Sequence, residues 1–142
     1  MATIDSNQLN ECFVSATSFL SVAINLSQDL IGMVAGKMYP CVVNGAFACE
    51  LFMKAIIGTS NPDGIPKSHK LKDLFSMLDQ RTQNAIEADY LNGSDYPLND
   101  LLNELDNAFV DWRYAYEKKV QLHYVALVEF GKVLREVTRQ LI

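Results

Sequence analysis

The chain has two histidines, His69 and His123, so proton transfer near neutral pH falls first on them. Ten positions before His123 stands Arg113, within the segment Arg113-Tyr114-Ala115-Tyr116-Glu117. A histidine to move a proton, an arginine to neutralise a phosphorane and a tyrosine to stack or hydrogen-bond are a minimal set for cleaving a phosphodiester. The spacing works against their acting together. On a continuous helix, ten steps leave a rotation of about −80° and an axial separation of about 15 Å. Only a turn near Lys118, or a second copy of the chain, would bring Arg113 and His123 to one phosphate. Arg113 is equally suited to a structural ion pair with Glu117 at i,i+4. His123 is equally suited to a helix start with its ring satisfied by a neighbour.

His69 and Lys70 open a short apolar-patterned helix, where free N–H groups favour an anion. The bland alternative is a polar helix start capped by Ser68. Glu50 is the remaining residue that demands an account, because it lies on an otherwise apolar helix. A lone buried carboxylate is costly, so it should pair with Lys54 at i,i+4 or with an arginine such as Arg113 from a facing helix. Cys12, Cys41 and Cys49 are odd in number and form no CxxC pair. On one helix Cys41 and Cys49 would stand about 12 Å apart, beyond disulfide reach. Three buried free thiols are expected, and neither a metal nor a cofactor. P-loop, GxSxG, HExxH and GxGxxG motifs do not occur.

The elements that must position these residues are helical throughout. Leu9, Phe13, Ala16, Leu20, Ala23, Leu30 and Val34 follow helical spacing from a capping-box start at Asp5 and Gln8, with Gly36 ending the run. Pro40 suits the first turn of a second helix, and Gly58 its stop. Between them Val42, Ala46, Phe47, Leu51, Phe52, Ala55 and Ile56 leave little polar face, which predicts a central, buried helix. Residues 58–66 hold two Gly and two Pro and read as a loop. Leu71, Leu74, Phe75 and Leu78 mark a short helix, residues 82–91 another, and Asn92-Gly93-Ser94-Asp95 a turn. Leu98, Leu101, Leu102, Leu105, Phe109, Trp112 and Tyr116 form the best stripe. A last helix runs from about Val120 to Leu141, using Leu122, Ala126, Phe130, Val133, Val137 and Leu141. The fold class is therefore all-α, an up-and-down bundle of four to five helices, with residues 1–142 as one domain.

Length and composition agree. A chain of 142 residues, 49% hydrophobic and 20% charged, is long enough to bury roughly two-thirds of its unfolded surface. These values exclude intrinsic disorder, collagen and a disulfide-stapled scaffold. The net charge of −5 argues against a general nucleic-acid coat protein. Charge is uneven along the chain: residues 82–112 carry seven acids and no base, and residues 113–142 carry +3. Met1–Ser6 lacks a basic n-region, and Asn25, Gln28 and Asp29 interrupt the apolar stretch from Phe19 to Ala35. Both features predict a cytoplasmic, non-membrane protein.

The buried segment AFACELFMKAII (46–57), a loop, and HKLKDLFSML (69–78) together resemble the HEPN superfamily of small helical-bundle proteins. The segment FVDWRYAYE (109–117), followed by a long terminal helix, is similar to HEPN-related bacterial proteins, so the resemblance spans roughly residues 40–142. It implies a homodimer. Many members are metal-independent ribonucleases of toxin–antitoxin or phage-defence systems, often beside a nucleotidyltransferase partner. Others bind RNA, nucleotides or proteins without catalysis. Active members pair an Arg and a His separated by four to six residues, and both protomers contribute to one cleft. Here nine residues separate Arg113 from His123, so the catalytic motif is missing as written. The expectation is a divergent, non-catalytic HEPN-like homodimer that binds RNA, a nucleotide or a protein through His69, Lys70, Glu50, Tyr114, Tyr116 and Glu117. The alternatives are a ribonuclease using Arg113 and His123 across the dimer cleft, or a structural bundle whose acidic face around Asp100, Glu104 and Asp111 docks a partner.

Overall fold

The computed structural model describes residues 6–29, 35–61, 63–110 and 123–142. Six helices lie in these segments: α1 (Ser6–Asp29), α2 (Ala35–Gly58), α3 (Leu71–Met77), α4 (Gln80–Gly93), α5 (Leu98–Val110) and α6 (Tyr124–Leu141). No strand occurs among the described residues, so the class is all-α. One hydrophobic cluster draws residues from all six helices, including Leu20, Phe52, Leu74, Tyr90, Leu101 and Phe130.

Helix α2 is the centre because it has no wide polar face to offer water. Ala46, Ala48, Cys49, Phe52, Met53 and Ala55 are all fully buried. Against it pack α1 through Ala16, Leu20 and Ala23, and α6 through Leu127, Phe130 and Leu134. Two glycines set how closely these helices approach. A Cβ on Gly45 would lie 2.9 Å from Leu127 Cδ2, and one on Gly131 would lie 2.6 Å from Leu20 Cδ1. Two thiols tie α1 to α2: Cys12 Sγ donates to Leu51 O at 3.2 Å and Cys41 Sγ to Ala23 O at 3.3 Å. All three cysteines are free, and Cys12 is only half-buried where full burial was expected.

Several boundaries differ from the sequence reading. Helix α1 is described to Asp29, so Leu30 and Val34 lie outside the described residues, and Gly36 lies in the opening turn of α2. Helix α2 therefore starts five residues before Pro40. Pro40 lies just inside, where its missing N–H removes one hydrogen bond near an end that leaves four N–H groups unpaired anyway. Asn92 and Gly93 complete α4 and do not form a turn. On α6 the buried face is centred on Leu127, Phe130, Leu134 and Thr138, so Leu141, expected inside, is 50% exposed. Gly64 has a positive φ, 87°, which suits glycine in the loop before α3. Trp112 and Tyr116 lie outside the described residues.

By length and composition alone, α1 and α2 are each apolar enough to cross a membrane. Their burial separates them: 78% of the apolar stretch of α2 is inside the protein, against 17% for α1.

Candidate functional site

Helix α5 organises both regions that the sequence marks for chemistry. Leu98, Leu101, Leu102 and Leu105 bury one face of it. Glu104 and Asp106 are two residues apart, which on a helix turns them about 200° from each other. They consequently leave opposite flanks of that buried face, one toward α6 and the other toward α3.

Glu104 holds His123. Its Oε1 lies 2.7 Å from His123 Nδ1, and its Oε2 accepts the His123 backbone N–H at 3.0 Å. His123 is the N-cap of α6, so one carboxylate fixes both the helix start and the imidazole. An ionised Glu104 accepts from Nδ1–H, and in the neutral ring that tautomer has Nε2 as the acceptor nitrogen. Tyr96 stacks on the ring, with centroids 3.7 Å apart and planes 13° from parallel. Tyr96 is itself anchored where its carbonyl accepts the Tyr90 hydroxyl at 2.6 Å. Partial burial, with Glu104 and Asp100 nearby, pushes the Tyr96 phenol above its ordinary range. The surroundings of His123 are therefore acidic and aromatic.

Asp106 holds the start of α3. Its Oδ1 accepts the Leu71 N–H at 2.7 Å and its Oδ2 the Lys72 N–H at 3.2 Å, while Lys72 Nζ donates to Asn103 Oδ1 at 3.1 Å. The expected cap, Ser68, accepts only the Lys70 N–H, at 3.3 Å, and Lys70 as N-cap residue makes no side-chain cap bond. A carboxylate thus already sits where the sequence allowed an incoming anion.

The third constellation is buried at the base of the α3 loop. Lys54 Nζ donates to Glu50 Oε2 at 3.1 Å, the i,i+4 partner offered by the sequence. His69 Nδ1 reaches the same oxygen at 3.1 Å and stands 3.5 Å from Lys54 Nζ. The Glu50 and Lys54 side chains are about nine-tenths buried, whereas His69 is 79% exposed and leans on the pair from outside. Burial raises the Cys12 thiol above its ordinary range, with Lys54 pulling it down and Glu50 pushing it up. Burial likewise lifts Cys41 to about 11 and Cys49 further still, so neither is a reactive thiolate.

The structure thus joins Glu50 to His69, and His123 to Glu104. Arg113, Tyr114, Tyr116 and Glu117 lie outside the described residues, as does any Glu50–Arg113 or Arg113–Glu117 pairing. Asp106 and Tyr96 were not singled out by sequence, and Glu104 was read only as part of an acidic face. Their partners are 35, 27 and 19 residues away, and no local spacing rule connects them. An open groove of ≈ 590 Å³ between the end of α2, the α3–α4 junction and Leu141 has neither histidine in its lining. Among the described residues, no group of three His, Cys, Asp or Glu side chains is placed to hold a metal ion. No protein-family model, curated protein or solved structure matches the chain at a significant level.

Proposed function

We propose that this chain is a divergent HEPN-like helical bundle that recognises a protein partner and does not cleave RNA. One observation carries the reading: both places suited to a phosphate are occupied by carboxylates of α5. Glu104 takes the imidazole and backbone N–H of His123, and Asp106 takes the N–H groups opening α3. A nucleic-acid phosphate approaching either place meets fixed negative charge, and neutralised phosphates supply most of the affinity for nucleic acid. The HEPN resemblance supplies the setting: a cytoplasmic homodimer in prokaryotic defence or stress, with a nucleotidyltransferase-type protein as candidate partner.

The competing reading, a ribonuclease, draws on the His123 geometry. A carboxylate on Nδ1 orients the ring and leaves Nε2 to take the proton of a ribose 2′-OH, and the side chain is 44% exposed. Arg113 would supply the cation that the phosphorane requires.

Incubation of the purified protein with total RNA in EDTA, beside folded Arg113→Ala and His123→Ala variants, separates the two. Intact RNA throughout, with no salt-sensitive retention of RNA on a filter, is the expected result. Cleavage by the wild type that disappears in both variants would overturn the proposal and make Arg113 and His123 the catalytic pair.

A further inference from the structure

Three steps in the chain set a glycine directly after asparagine or aspartate: Asn44–Gly45, Asp63–Gly64 and Asn92–Gly93. Such a step is chemically weak, because a glycine nitrogen has no neighbouring Cβ to keep it from the side-chain carbonyl carbon. The fold treats the three differently. Asn44 is the tenth of 24 residues in α2, with Nδ2 donating to Pro40 O at 2.7 Å and Gly45 buried behind it. Asp63–Gly64 stands in the loop before α3, where the Gly64 N–H is held by Asn61 O at 3.0 Å. An ionised carboxylate also lacks a good leaving group, so that step slows as pH rises above the carboxyl range. Asn92 is the thirteenth of 14 residues in α4, and both it and Gly93 are exposed. Its carboxamide has no hydrogen bond among the described residues.

Helical backbone holds each nitrogen away from the preceding side chain, so attack requires local opening. The last turn of an exposed helix opens at almost no cost, whereas the middle of a buried helix opens only with the core. We propose that Asn92–Gly93 is a self-modifying step that converts Asn92 to aspartate and isoaspartate in the folded protein. The Gly93 nitrogen attacks Asn92 Cγ, the new N–Cγ bond forms, and the Cγ–Nδ2 bond breaks. Ammonia leaves with the proton that Gly93 gave up. Solvent water then opens the cyclic imide, at Cγ to give aspartate or at the backbone carbonyl to give isoaspartate.

The change falls where the chain positions the His123 ring. The Ser94 N–H donates to Tyr90 O at 3.0 Å, and Ser94 Oγ accepts the Tyr96 N–H at 3.3 Å. The Tyr90 hydroxyl donates to Tyr96 O at 2.6 Å, and Tyr96 stacks on His123. Isoaspartate routes the backbone through the side-chain methylene, which lengthens the chain by one carbon just before these anchors. Either product adds a carboxylate at the C-terminal end of α4, where the helix dipole is already negative. Glu129 lies over the same backbone, its Cδ 2.7 Å from where a Cβ on Gly93 would stand. The inference does not depend on what the protein binds, so the RNA assay and the ageing assay fail independently.

The whole chain, folded and in parallel unfolded in urea, is held for days at mildly alkaline pH and mapped by peptide mass spectrometry. Isoaspartate is labelled with an S-adenosylmethionine-dependent isoaspartate methyltransferase. In the folded protein the amide-to-acid mass gain at Asn92 should outpace that at Asn44 by more than about tenfold, a ratio that needs only ~1.4 kcal/mol of difference in opening. In urea the two should convert at similar rates. Asn92→Ser should lose the label, and the amides of Ser94 and Tyr96 should exchange faster in aged wild type than in fresh. An Asn92 that stays intact in the folded protein while it converts in urea would overturn the proposal. So would equal rates at Asn44 and Asn92 in the folded protein, a label confined to Asp63, or an undiminished label in Asn92→Ser.

Discussion

Both histidines rest on a glutamate through Nδ1, at 3.1 Å for His69 and 2.7 Å for His123, yet the two regions are built for different ends. At His69 the carboxylate is the buried partner and the imidazole an outer contact. Glu50 sits nine-tenths buried on α2, and Lys54 beside it neutralises the charge, so the pair is complete without the histidine. At His123 the carboxylate's two oxygens are divided between the ring and the backbone N–H at the start of α6. Removing the imidazole there leaves Glu104 Oε1 without its partner, while the backbone N–H still holds Oε2. A His–Glu contact by itself therefore says little about role. The partner that each carboxylate must satisfy decides it.

Four substitutions test this contrast. Glu50→Gln should produce the largest loss, about 3–5 kcal/mol, because it leaves the Lys54 ammonium buried without a counter-charge. Urea unfolding measures it, and a midpoint equal to wild type would show that the pair is not the anchor described here. Glu104→Ala should lose about 2 kcal/mol, the scale of hydrogen bonds to a charged group. The amide of His123 should exchange faster, which sets this loss apart from general destabilisation. Asp106→Ala should lose about 1 kcal/mol, the usual value of a helix cap, with faster amide exchange confined to Leu71 and Lys72. His69→Ala should change stability by less than about 0.5 kcal/mol, since the ring is mostly solvated. A loss as large as that of Glu50→Gln would erase the distinction between the two regions.

A pH profile adds the smallest effect and a local counterpart to the long-range carboxylates. Asp79 caps α4 by accepting the Thr82 N–H at 2.7 Å, and that bond holds its carboxyl below the usual range. Its contribution is present above the carboxyl's ordinary pKa in the unfolded chain and is lost as pH falls through the lower folded value. Asp79→Ala should therefore flatten the acid limb of stability, measured by thermal denaturation across that range, and leave the slope near neutrality unchanged.

Much of the fold could be read from residue order because helical periodicity is a short-range code. The Leu71–Leu74–Phe75–Leu78 face, the Leu98–Leu105 stripe and most of the apolar wall of α2 mark buried surfaces that the structure contains, although Phe47, expected inside, is 40% exposed. Glu50–Lys54 was legible for the same reason, since i,i+4 neighbours meet on any helix. Helix ends were read less well. Pro40, the sixth residue of α2, forfeits only the one i→i−4 hydrogen bond to the Gly36 carbonyl, and Gly36 opens that helix where the sequence suggested a stop.

Sequence alone thus determined the helices, their buried stripes, the apolar character of α1, and Lys54 as one of the partners open to Glu50. Only the tertiary structure decided that Glu104 would meet His123, Asp106 would close the N-terminus of α3, and His69 would lean on Glu50. Those contacts join residues 19 to 35 positions apart. Each forms because burying the leucine face of α5 and most of α2 brings distant helix ends together. A carboxylate carried to such an end binds whichever donors are exposed there.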